Sequence, residues 1–87
     1  MKKSKKIITD IEKRLDNIES EDRALLILLE DNLESLFYIQ KQIDKEQQAS
    51  NFDLESYNKL IKLHNIKQNA ILSILDRLEF QYEEELY

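Results

Sequence analysis

No glycine and no proline occurs anywhere in this 87-residue chain, and that double absence narrows the accessible folds more than any motif does. Glycine supplies the φ > 0 positions that tight hairpins and phosphate-cradling loops need, and proline supplies fixed kinks. A chain lacking both is poorly suited to sheets, propellers or nucleotide-binding turns. Helix is what remains. The mixture of 41% hydrophobic and 36% charged residues agrees, being that of long amphipathic helices and too apolar for disorder. Cysteine is absent as well, which removes disulfides and thiolate chemistry and leaves the redox compartment unread. A domain this short buries only about 60% of the surface its unfolded chain exposes, so partner subunits are the expected staple.

Three helical stretches follow from hydrophobic spacing. In the first, about 9–19, Thr9 and Glu12 fit a capping box, and Ile8, Ile11, Leu15 and Ile18 form one apolar stripe. The second, about 21–48, continues that register through Leu25, Leu29, Asn32, Leu36, Ile39 and Ile43. Asp22 interrupts the stripe, so Ser20-Glu21-Asp22 is either a break, with Ser20 as N-cap and acids in the first turn, which is the reading preferred, or a blemish in one helix of about forty residues. The run Leu25 to Leu29 is apolar on every side of a helix and is expected to be enclosed by two or more neighbours.

Periodicity lapses over Gln47 to Phe52, which predicts a loop, with Asn51 or Asp53 capping the next helix. The third stretch, about 54–84, carries Leu54, Tyr57, Ile61, His64, Gln68, Ile71, Leu75, Leu78 and Tyr82 on one stripe. The second and third stretches are each roughly 40 Å long at about 1.5 Å per residue and predict a long antiparallel hairpin with knobs-into-holes packing. The fold expected is all-α: this hairpin plus a shorter N-terminal helix, assembled into an oligomeric bundle or ring. Leu25, Leu29, Leu36, Ile43, Tyr57, Ile61, Ile71 and Leu75 are the expected core and oligomer interface. With a turn centred near residue 50, Asn32 falls beside Gln68. The two amides either form a polar layer that fixes register and oligomeric state or face a wet groove.

Chemistry is thinly represented. His64 is the sole histidine, and its helical neighbours Leu60, Ile61, Lys67 and Gln68 include no carboxylate or nucleophile. No Glu-x-x-His spacing occurs, so the di-iron bundle signature is missing. A packed or interface histidine is expected. The consecutive Glu83, Glu84 and Glu85 splay around a helix end and are expected to be a solvated tail. No catalytic residue, metal site or cofactor is predicted. The longest apolar run, Ala24 to Leu29, falls well short of the roughly 20 residues of a membrane span. Asp10, Glu12 and Lys13 also cut off any signal-peptide core. An intracellular protein without a membrane partner is expected.

The net charge of −5 is unevenly spread: residues 1–14 carry net +4, against net −4 for residues 76–87. Residues 1–8 read as a basic tail ahead of a single helical domain, 9–87. Its lysines Lys2, Lys3, Lys5 and Lys6 either neutralise DNA phosphates weakly and without base specificity or simply solubilise the chain.

The succession Asp22-Arg23-Ala24-Leu25-Leu26, Asn32-Leu33, Tyr38, Gln40 and Ile43, then a linker, Tyr57-Asn58-Lys59-Leu60-Ile61-Lys62 and Ile71-Leu72-Ser73-Ile74-Leu75-Asp76-Arg77-Leu78 resembles the helical core of phage terminase small subunits over about residues 20–80. That resemblance implies a non-enzymatic, ring-forming homo-oligomer that binds viral DNA and hands it to the large packaging subunit. The location implied is the cytoplasm of a bacterial host cell. The alternative is a small helical inhibitor or adaptor, of phage or mobile-element type, that docks an amphipathic face on a host protein without nucleic acid.

Overall fold

A computed structural model describes residues 3–15 and 18–78; Met1, Lys2, Asp16, Asn17 and residues 79–87 lie outside the described residues. Among the described residues are three α-helices and no strand: α1, Lys3–Arg14; α2, Ser20–Gln48; α3, Leu54–Arg77. They occupy an elongated body of 50 × 24 × 19 Å.

Helix α1 starts well before the predicted residue 9, so Lys3 to Ile8 are helical and not a tail. The reason is visible in the burial of Ser4, Ile7, Ile8 and Ile11. Their spacing of three, one and three is an inward helical stripe that extends upstream through a small polar residue. Thr9 is therefore not an N-cap. Its hydroxyl donates to the Lys5 carbonyl one turn back, at 2.9 Å, as threonine does inside a helix. Lys13 and Arg14 close the helix, where cations favour the carbonyl end.

The helices are interrupted before Ser20, and the interruption is earlier than the sequence placed it. Glu19, in extended conformation, is the N-cap of α2, and its backbone N–H donates to the Asp22 carboxylate at 3.1 Å. Asp22, the blemish on the stripe, thus works as a capping acid at the third position, and Ser20 is already helical.

The connection between α2 and α3 manages without glycine by staying extended at both ends: Ala49 has φ −70° and ψ 140°, Asp53 φ −109° and ψ 107°. No left-handed residue is needed at either cap. Asp53 caps α3 by accepting from the Glu55 amide at 3.1 Å and the Ser56 hydroxyl at 2.8 Å, while its own amide donates to Glu46 at 3.0 Å. The Ser56 hydroxyl, helped by the Glu55 and Ser56 amides and the charge of Lys59, holds the Asp53 carboxyl below its ordinary value. Phe52 stacks at a tilt on Tyr57, ring centres 5.4 Å apart.

Packing concentrates where all three helices meet. Ile7, Ile8 and Ile11 of α1 join Leu25, Leu26, Leu29, Leu33 and Leu36 of α2, with Ile71 and Leu75 of α3 and its C-cap Leu78, in one cluster. Ile11, Leu29, Leu33, Leu36 and Ile71 have no exposed surface. Beyond Ile39 nothing in the rest of α2, or in α3 before Ile71, is fully buried. At about 1.5 Å per residue α1 reaches under half the length of α2. Where it stops, two helices alone cannot enclose a side chain. Beside half-buried Ile43 and Ile61, polar pairs cross between the helices there: Gln47 Nε2 donates to Tyr57 Oη at 3.2 Å, and Gln40 Nε2 lies 3.2 Å from His64 Nε2.

Leu36→Ala is expected to cost about 2–5 kcal/mol in chemical denaturation, through lost transfer energy and a residual cavity. Leu54→Ala, at an exposed position, stays within about 0.5 kcal/mol. Comparable losses at both sites would contradict this placement of the core.

Asp53→Ala is expected to lower Tm, while Asp53→Asn, an equivalent cap, retains most of it. The native carboxyl titrates below the unfolded one, so its contribution is complete above the unfolded value and fades as pH falls through the lowered native range. A thermal melt series from pH 7 to pH 2 should show the gap between wild type and Asp53→Ala narrowing in acid.

Candidate interaction surfaces

Of the apolar residues expected at an interface, Leu25, Leu29, Leu36, Ile71 and Leu75 lie in the chain's own core. Ile43, Tyr57 and Ile61 are half-buried in the two-helix half of the body. All eight line the inner surfaces of the helices. The Asn32–Gln68 layer is not formed. Asn32 Nδ2 donates to the Leu28 carbonyl of its own helix at 2.8 Å, and the cross-helix polar pair is Gln40 with His64 instead. The facing residues Gln47–Tyr57 and Gln40–His64 each sum to 104, which centres the connection at 52 and not 50. That two-residue difference moves every partner by four, one helical turn, and sets Gln68 level with Leu36.

Of the lysines named for DNA contact, Lys3, Lys5 and Lys6 stand on a helix. Lys5 and Lys6 are exposed on α1, Lys3 places its ammonium 4.6 Å from the centre of the Phe37 ring, and Lys2 lies outside the described residues. Lys6 and Lys13, two turns apart, share one face of α1. Tyr82 and the Glu83 to Glu85 run lie outside the described residues.

Large apolar side chains are nevertheless left in solvent. Ile27 is 64% exposed and Leu28 52%, so the Leu25 to Leu29 run is not enclosed on every side as expected. Leu63 and Ile66 on α3 are 47% and 61% exposed. With Ala70 and Ile74 they form a second apolar row, spaced three, four and four, beside the buried row of α3. A shallow groove lined by Glu34, Ser35, Tyr38 and Ile39 of α2 and by Leu63 and Lys67 of α3 runs beside this row. Helix α1 packs on the other flank, beside Leu26, Glu30 and Phe37. The row was legible in principle, because Leu63-Ile66-Ala70-Ile74 has helical spacing; following only the strongest stripe obscures it.

Charge divides by helix. Over its residues α1 is net +3, α2 net −4 and α3 net +2. An acidic central helix is therefore flanked by two basic ones. Among the described residues, no group of three or more His, Cys, Asp or Glu is placed to hold a metal ion. No described helix is long and apolar enough to cross a membrane. The chain matches no protein-family model, no curated protein sequence and no solved structure.

Proposed function

We propose that this chain is a non-enzymatic helical interaction protein that works by docking an apolar helix face onto another protein. In this reading α2 and α3 form a long antiparallel hairpin, braced by α1 along one half. The observation that carries it is the row of Leu63, Ile66, Ala70 and Ile74 on α3, a helix that α1 does not contact, with Leu63 47% and Ile66 61% exposed. Contiguous exposed apolar surface on a small domain marks an interaction site, and protein contacts are among the sites it marks. The biological setting that fits is an inhibitor or adaptor of phage or mobile-element type acting on a host protein.

A second reading is favoured by a specific feature: Lys5, Lys6 and Lys13 are exposed along α1. It is a DNA-packaging component like a terminase small subunit, a ring whose basic helices touch phosphate and whose partner is the large packaging subunit.

Light scattering and a gel-shift salt series separate the two. The interaction reading expects a monomer or small oligomer with no duplex binding at about 150 mM salt. It also expects Lys5→Glu/Lys6→Glu/Lys13→Glu to behave as wild type in the gel. A ring of about eight or more chains, together with salt-steep DNA binding that the triple variant loses, would overturn it in favour of packaging.

A further inference from the structure

The uncovered flank is self-complementary, and we infer that its occupant is a second copy of this chain. The inference rests on the docking reading above and names the partner. On α2 the flank carries Leu28 and Ile39, with exposed Asp31 one turn from Leu28 and Glu34 lining the groove; on α3 it carries Leu63 and Ile74, with half-buried Lys67 lining the same groove and exposed Arg77 one turn from Ile74. The α2 side of the face is therefore acidic and the α3 side basic. Among the described residues Glu34, on the α2 side, lines the same groove as Lys67, and Glu55, farther along α3, pairs with Lys59 at 3.6 Å.

Opposite edges select both the partner and its orientation. A partner of uniform charge would be attracted along one edge and repelled along the other. A second copy rotated about an axis parallel to the helices lays its acidic α2 over the basic α3 of the first, and its α3 over the first α2. Both edges are then satisfied at once, as a two-fold isologous contact requires. Rotation about the perpendicular in-plane axis stacks α2 on α2 and α3 on α3, and like charges oppose along both edges. Because facing residues within one chain sum to 104, Asp31 lies level with residue 73, between Lys67 and Arg77, so the parallel axis brings it over that stretch of the second copy, one turn from Arg77. The resulting four-helix layer covers Leu28, Leu63 and Ile66, which one chain leaves in water.

Sedimentation equilibrium across a concentration series tests this, with helicity checked by circular dichroism. Wild type is expected at twice the 10.5 kDa chain mass. Leu63→Lys and Lys67→Glu/Arg77→Glu should each weaken association at least tenfold while remaining helical. Asp31→Lys should weaken its own self-association similarly, and mixing it with Lys67→Glu/Arg77→Glu should restore a dimer containing one of each. A wild type that stays at single-chain mass up to about 100 µM overturns the inference while leaving docking on a different protein intact. A dimer indifferent to Lys67→Glu/Arg77→Glu overturns the orientation, and an assembly of eight or more chains overturns both the two-fold contact and the docking reading.

Discussion

Everything in this molecule depends on the burial of Leu29, Leu33 and Leu36 at the level where α1 and α3 both press on α2. These side chains are fully enclosed, and burying a leucine contributes about 1.5–3 kcal/mol. Each neighbour of α2 has its own inward residues at that level: Ile7, Ile8 and Ile11 from α1, Ile71 and Leu75 from α3. Two helices pressed together leave the sides of their contact open to water, and a third closes one side. The core therefore ends where α1 ends. Past Ile39 the two long helices meet through half-buried Ile43 and Ile61 and through amide, phenol and imidazole groups, which exchange water contacts for protein contacts at small net gain.

The legibility of the sequence follows from the same geometry. Hydrophobic spacing locates the inner row of each helix, because a buried row must recur every three or four residues. It is weaker at ends, where a small buried residue such as Ser4 continues a stripe without looking apolar, so α1 begins earlier than Thr9 suggests. Polar residues on a stripe mislead for a related reason. Thr9 and Asn32 both hydrogen-bond the carbonyl four residues back, at 2.9 and 2.8 Å. An apparent cap and an apparent cross-helix amide are both satisfied within their own helices. Capping chemistry, in contrast, was available in the residue that seemed out of place: Asp22 breaks the stripe because it terminates the helix start and not the core.

Register was the least legible quantity. Nothing in the composition of Gln47 to Asp53 marks whether the connection centres on 50 or on 52, since no glycine fixes a turn type. Extended Ala49 and Asp53 lengthen the crossing, and the Asp53 cap, tied to Glu46 at 3.0 Å, sets where α3 may begin. A difference that small at the loop becomes a full helical turn in every facing pair. It exchanges an amide layer at Asn32 and Gln68 for the Gln40–His64 pair nearer the loop.

The charge layout links this fold to its surface. An acidic α2 between basic α1 and α3 gains attraction within the chain, modest at exposed positions, but its larger effect is on what can approach from outside. Residues that hold the monomer together are symmetric in chemistry, leucine against isoleucine, and could pack in several ways. Charges on the two sides of the uncovered flank are not symmetric, so like charges penalise one orientation while opposite charges favour the other. Apolar surface supplies the tendency to associate. Edge charge decides in which direction the helices lie when they do.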